Sequence, residues 1–432
     1  MDNRELAERD LAHVWHPCTQ MKDHESLPLI PVKRAEGVWL EDFEGNRYID
    51  GISSWWVNLF GHANPTITEA LCRQASTLEH VLLAGFTHEP AVRLAERLSA
   101  LVPGHLNRLF FADNGSSAVE VALKMSYHAH LNAGESKPLF LSLTNSYHGE
   151  TIGALSVGDV ELYKKTYEPI LIRSVQTPVP ADRSEAAARE ASERLETILK
   201  VHASRISAMI VEPLVQCAGS MHMYHPLYLK LAKSLCERYN VHFIADEIAV
   251  GFGRTGTMFA CEQAGIAPDF ICLSKGLTGG FMPLAVVMTH EEIYRRFYCD
   301  YLEYKAFLHS HSYSGNPLGC ACANAVLDIF ERDDVLESNR EKAGWMAELT
   351  EPFKALPNVR EVRQTGMIAA VELQGYRPEE RINLKIFDYC LRRGVFIRPL
   401  GPVLYFMPPY IIEREEMEKL IQTAYEAVRS LS

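Results

Sequence analysis

From about residue 66 to 325 the chain alternates short continuous apolar runs with longer stretches in which apolar residues recur every three or four positions. The short runs, among them Leu109-Phe110-Phe111, Leu139-Phe140-Leu141, Ala208-Met209-Ile210-Val211 and Val241 to Ala245, have the length and uniform apolarity of strands buried on both faces. The longer stretches, 67–80, 89–102, 116–132, 184–203 and 225–239, each carry one apolar stripe and predict amphipathic helices. This rhythm predicts an α/β domain with a mostly parallel sheet covered by helices on both faces. Ligands in such sheets sit at the carboxyl ends of the strands, so residues that follow the apolar runs are the first candidates for chemistry.

The flanks read differently. Residues 1–65 predict a short helix, a proline-containing loop and small strands around the turn between Gly37-Val38-Trp39-Leu40-Glu41-Asp42 and Gly45-Asn46-Arg47-Tyr48-Ile49-Asp50. Residues 326–432 predict a long charged helix, strands near Gly366 to Leu373 and Gly394 to Phe406, and a final amphipathic helix after Pro409. The expected organisation is an N-terminal segment, 1–65, that joins a C-terminal α+β domain, 326–432, beside a large domain, 66–325. Ser53-Ser54-Trp55-Trp56 places two bulky rings side by side, of which one can be core while the other lines a pocket.

At 432 residues, with 47% apolar and 23% charged residues, the chain has the balance of an ordinary globular protein. A formal charge of -12 argues against nucleic acid or an anionic membrane as partner. The charged N-terminus lacks the apolar core of a signal peptide, and no run approaches the roughly 18 apolar residues that span a bilayer, so a cytoplasmic location is expected. Ten cysteines, scattered apart from Cys320 and Cys322, suit reduced and mostly buried thiols. His309 and His311 lack accompanying ligands of suitable spacing, so no metal is expected.

Candidate chemistry gathers where apolar runs end. Phe270-Ile271-Cys272-Leu273-Ser274 delivers Lys275 ahead of Gly276, Gly279 and Gly280, and Val241 to Ala245 delivers Asp246. Pyridoxal phosphate needs this pair: a lysine to hold its aldehyde and an aspartate to keep its ring nitrogen protonated. Taken singly, the lysine reads as a surface residue and the aspartate as a helix cap. Asp113-Asn114-Gly115-Ser116-Ser117 is a strand-to-helix junction at which Gly115 and Ser116 can cradle a phosphate; a plain serine N-cap is the alternative. Tyr147 can lie against a cofactor ring, and Glu212 adds an acid at a further strand end, with a structural ion pair as its alternative. Gly251-Phe252-Gly253-Arg254-Thr255-Gly256 matches the dinucleotide pattern without the strand and helix it requires, and reads as a glycine-rich loop in which Arg254 can contact an anion. Ser310-His311-Ser312 is polar and precedes a helix, so Ser312 can supply a second phosphate contact. Arg398, inside an apolar run, is best explained as a carboxylate clamp.

With Trp15-His16-Pro17, Asp50 to Trp56, Tyr147-His148-Gly149, Ala245 to Ala249 with the glycine loop, and Arg398-Pro399 with Met407-Pro408-Pro409-Tyr410, the chain resembles the class III aminotransferases over nearly its whole length. The resemblance implies fold type I, a large domain with a mostly parallel seven-stranded sheet flanked by helices plus a smaller α+β domain. It implies that Lys275 binds pyridoxal 5'-phosphate covalently, with Asp246 on its ring nitrogen. Gly115, Ser116, Tyr147, Glu212, His311 and Ser312 would complete the cofactor site, and Ser312 would serve the neighbouring protomer of a homodimer with shared active sites. Cys18, Trp55, Tyr147, Lys275, Ser310 and Arg398 would line the substrate pocket. Within the family the motifs are similar to those of members that aminate 8-amino-7-oxononanoate to 7,8-diaminononanoate for biotin. Cys18 replaces a usual tyrosine and Ser310-His311-Ser312 a usual Gly-Pro-Thr, which leaves S-adenosylmethionine and lysine both open as donor. Other class III transamination, of ω-amino acids or diamines, is the alternative activity.

Overall fold

In the computed structural model, which describes residues 2–27 and 29–431, the chain divides into two compact units. The larger comprises Thr66–Arg340 with Gln364–Ile368, and the smaller Met1–Pro65, Glu341–Arg363 and Ala369–Ser432.

The large unit is built on a seven-stranded sheet, with strands β1 (Arg108–Ala112), β2 (Leu139–Leu143), β3 (Ser174–Thr177), β4 (Ile206–Val211), β5 (His242–Asp246), β6 (Phe270–Leu273) and β7 (Ala285–Thr289). Their order across the sheet is β1-β7-β6-β5-β4-β2-β3. All pairs are parallel except those that β7 makes with β6 and β1, so the strand that reverses direction lies one in from an edge. The central strands β4, β5 and β6 are buried at every residue, in keeping with the apolar runs at their centres. Helix Gly115–Asn132 lays Ala118, Val119, Ala122 and Met125 in one core with Ala208, Ile210, Ile244, Cys272 and Val287. Each large apolar side chain so buried contributes about 1.5–3 kcal/mol. Cys320 and Cys322 are buried on helix Pro317–Arg332, which packs on helix Glu89–Leu101 and on the 3₁₀ turn Lys275–Thr278 and so stays with this unit.

In the small unit, Val32–Glu36, Trp39–Asp42 and Arg47–Asp50 form an antiparallel meander that Val395–Phe396 joins in parallel. A second sheet orders Val359–Thr365, Ile368–Leu373 and Val403–Phe406. The final helix, Arg414–Arg429, buries Met417, Leu420, Ile421, Ala424 and Val428 on one face. Among the described residues no helix is long and apolar enough to cross a membrane.

Candidate active site

Four neighbouring parallel strands, β2, β4, β5 and β6, end on the same side of the sheet, and each end carries a singled-out residue. Tyr147 and His148 follow β2, Glu212 follows β4, Asp246 closes β5, and Lys275 lies two residues beyond β6. The register fixes this proximity, since Ala245 pairs with Val211 and Asp246 with Cys272.

Asp246, 5% exposed, is held from two sides. His148 Nδ1 lies 2.7 Å from its Oδ2, and the Ile248 backbone N–H donates to Oδ1 at 3.2 Å. A carboxylate that accepts both bonds requires the proton on His148 Nδ1. The buried His148 Nε2 reaches no hydrogen-bond partner in the structure. His148 is the residue that the sequence reading passed over: it stands in the Tyr-His-Gly triplet, but its partner is 98 residues away.

Glu212 accepts from the backbone N–H groups of Tyr147 at 2.9 Å and Cys217 at 3.0 Å. It therefore ties the end of β2 to the loop after β4. Burial pushes its carboxyl up to about 7, against the opposing pull of His148 and the two N–H donors. Burial lowers the pKa of Lys275, while the charges of Cys217, Asp246 and Glu212 oppose that shift. Lys275 adopts a left-handed backbone with φ of 47°, a strained conformation for a residue with a side chain and one that clusters at functional sites.

Helix Gly115–Asn132 opens beside these residues. Its N-cap is Asn114, which accepts from Ser117 N–H at 3.0 Å, so neither serine is the cap. Ser116 Oγ instead accepts from the Glu150 N–H at 3.3 Å. Gly149, at φ +119°, comes so close that a Cβ there would lie 2.0 Å from Ser116 Oγ; only glycine fits. Tyr147 donates its hydroxyl to Glu150 at 3.1 Å and packs edge-on against Tyr163. A helix N-terminus freed of serine capping, a fixed carboxylate and a half-buried lysine fit a group with a phosphate, a basic ring nitrogen and an aldehyde.

Two further groups hold the remaining candidate residues. In the small unit Arg398 donates to the Cys18 carbonyl at 2.7 Å and lies over the Trp55 ring at 5.0 Å, so Cys18, Trp55 and Arg398 form one cluster. Trp55 is 40% exposed, whereas Trp56 is 3% exposed, donates to Tyr405 Oη at 3.1 Å and is core. Asp50, fully buried, holds this turn by accepting from Ser54 N–H at 2.9 Å and Ser54 Oγ at 2.7 Å. In the large unit Ser310 and Ser312 are exposed, and His311 faces Asp113 at 3.8 Å. Arg254 is 1% exposed, inside the glycine loop, with its carbonyl accepting from Met367 N–H at 2.9 Å. Among the described residues no group of three or more His, Cys, Asp or Glu side chains is arranged to hold a metal.

Residues 20–428 match the family model of aminotransferase class-III. The chain is 51% identical, over 99% of its length and 98% of the relative's, to adenosylmethionine-8-amino-7-oxononanoate aminotransferase of Helicobacter pylori. It is 41% identical to the protein of the same name from Geobacter sulfurreducens, over 100% of its own length and 99% of the relative's. Among solved structures it superposes with a TM-score of 0.95 on the crystal structure of that aminotransferase from Methanocaldococcus jannaschii, at 34% identity and 99% coverage of each chain. An omega transaminase from Pseudomonas jessenii in complex with PMP superposes with a TM-score of 0.92, at 27% identity and 98% coverage of each chain.

Proposed function

The chain belongs to the class-III aminotransferases, and from that premise we propose that it aminates 8-amino-7-oxononanoate to 7,8-diaminononanoate in biotin biosynthesis, taking the amino group from S-adenosylmethionine or lysine. The observation that carries the chemistry is the delivery of Lys275, Asp246, Glu212 and Tyr147 by four adjacent strand ends. Its cofactor is pyridoxal 5'-phosphate. When bound, that group supplies an aldehyde that takes up amines covalently and a ring that draws electrons from the substrate carbon.

The chain's own residues do the rest. Asp246, locked by His148 and Ile248, keeps a proton on the ring nitrogen. Lys275, its pKa lowered by burial, is the base that moves a proton at the substrate carbon bearing the amino group. Gly115 and Ser116 bind the phosphate at the helix N-terminus. Tyr147 covers the ring, in a loop tied down by Glu212. Arg398 binds the acceptor's carboxylate; in the free protein it rests on the Cys18 carbonyl and the Trp55 face, contacts a carboxylate can replace with a bidentate pair. Ser310, His311 and Ser312 serve the partner's site in a cytoplasmic homodimer. The exposed apolar residues around them, Tyr301, Leu302, Tyr304, Leu308 and Tyr313, support a face covered by a second copy.

Mixing the yellow holoenzyme separately with S-adenosylmethionine, lysine and alanine tests donor and reaction together. One of the first two should bleach the absorption band, and 8-amino-7-oxononanoate should restore it. Bleaching by alanine, with recovery on pyruvate and none on the oxononanoate, would instead establish an ω-amino acid transaminase.

A further inference from the structure

Residues 307–314 have no regular secondary structure apart from a turn, yet in the reading above Ser312 must hold a phosphate in register. Phe307 anchors the segment from below, edge-on to Phe110 at 5.4 Å and Phe297 at 5.9 Å, with the His309 ring stacked on it at 5.7 Å. Above that anchor runs a chain of polar contacts. Lys124 Nζ lies 2.9 Å from His309 Nδ1, and His309 Nε2 lies 3.1 Å from His311 Nε2. The His311 N–H donates to Ser314 Oγ at 3.2 Å, and His311 Nδ1 faces the Asp113 carboxylate at 3.8 Å.

Donor chemistry gives this chain one direction. An ammonium can only donate, so His309 Nδ1 accepts and Nε2 carries the proton. His311 Nε2 must then accept, which leaves the His311 proton on Nδ1, turned toward Asp113. Both ends of the chain lie on the element that opens the phosphate cradle, since Asp113 stands two residues before Gly115 and Lys124 belongs to helix Gly115–Asn132.

We infer that Lys124, His309 and His311 are positioning residues that lock the Ser312 loop to the phosphate-binding helix of their own protomer, so that one site's cradle steers cofactor retention in the partner's site. The inference rests on the reading of Ser312 as a contact to the partner's cofactor phosphate. Acid breaks the chain, because a doubly protonated His309 turns an N–H toward the Lys124 ammonium. The groups that bear on His309 are Lys124 and Glu120 of the helix and the neighbouring His311; burial and Lys124 disfavour its protonation, and Glu120 favours it.

The experiment follows pyridoxal phosphate release from the holoenzyme against pH, by loss of its absorption band on dilution, in the wild type and four variants. Lys124→Met and His309→Ala should each weaken retention about 3- to 10-fold at pH 8, the worth of one hydrogen bond. Lys124→Met should also lose the acid-induced release, because a doubly protonated His309 then meets no ammonium and still donates from Nε2 to His311. His309→Gln, whose amide can accept from Lys124 and donate to His311, should hold cofactor at pH 8 and lose the acid-induced release. Ser312→Ala separates the two ideas. If it releases cofactor while the Lys124 and His309 variants behave as wild type, the chain has no positioning role; if it too retains cofactor, the Ser312 reading falls and the inference with it.

Discussion

At the scale of single residues the site works by fixing protonation states with burial and directed hydrogen bonds. Asp246 illustrates this, since its two oxygens are filled by His148 and Ile248 and remain acceptors only. Asp246→Asn keeps an acceptor for His148, loses the bond from Ile248 N–H at about 1 kcal/mol and should still fold, yet turnover should fall on the order of 10²–10³-fold because the charge that holds the ring proton is lost. Steady-state kinetics beside a melting curve check this; a normal rate would remove Asp246 from the chemistry. Glu247, next in sequence, is fully buried and accepts from Ala260 N–H at 2.9 Å and Cys261 N–H at 2.8 Å. Burial pushes its carboxyl up to about 7, whereas the unfolded chain releases that proton near 4.5. The folded state therefore holds an extra proton between these values, and the stability this contributes below pH 4.5 is lost as pH rises toward 7. Glu247→Gln, neutral throughout, should lose about 1 kcal/mol at pH 5 with one N–H bond, but show a shallower decline between pH 5 and 8 in urea titrations. Glu212 retains its own share of that slope.

At the scale of elements, the turn Ser53–Trp56 separates two identical residue types by geometry alone. All four residues have positive φ, a strained run that Asp50 holds by its bonds to Ser54, and the turn sends Trp56 into the core and leaves Trp55 under Arg398. Trp56→Ala should cost about 3–5 kcal/mol of unfolding free energy, whereas Trp55→Ala should cost under about 1 kcal/mol and appear instead in the KM for the oxo acid. Equal losses in denaturant titrations would contradict this division. Sequence allowed either tryptophan to be the buried one, because the handedness of a left-handed turn leaves no trace in a hydrophobic pattern. The central strands were legible for the opposite reason: Ile206–Val211 and His242–Asp246 are buried throughout, and the apolar residues Ala208 to Val211 and Phe243 to Ala245 mark them. The edge strand Ser174–Thr177, three-quarters of it polar residues and only half-buried, carried no such mark. Lys275, Asp246 and Glu212 were legible as strand-end residues, but the His148 contact to Asp246 joins two loops far apart in sequence and needs the sheet order to appear. The serine cradle was half legible, since spacing located the helix start and only the Asn114 cap showed that Ser116 is left for another partner.

At the scale of the whole molecule, the proposal of shared sites makes a prediction that a self-sufficient monomer cannot meet. Lys275→Ala lacks the amine but keeps Ser312, and Ser312→Ala lacks the phosphate contact but keeps the amine. In a dimer of one copy of each, one site combines an intact Lys275 with an intact Ser312 from its partner, and the other site carries both defects. Random reassociation of the two parents makes about half of all dimers mixed, so about a quarter of all sites become intact under two-fold symmetry. Assayed at limiting pyridoxal phosphate, where Ser312→Ala alone is undersaturated, the mixture should exceed the average of its separate parents and approach about a quarter of wild-type turnover. If Ser312 served its own protomer, every mixed dimer would hold only singly defective sites and the rate would remain that average. The exposed apolar residues around Ser312 supply the control: Leu308, 92% exposed, changed to Asp in both parents should keep the subunits apart and abolish the gain.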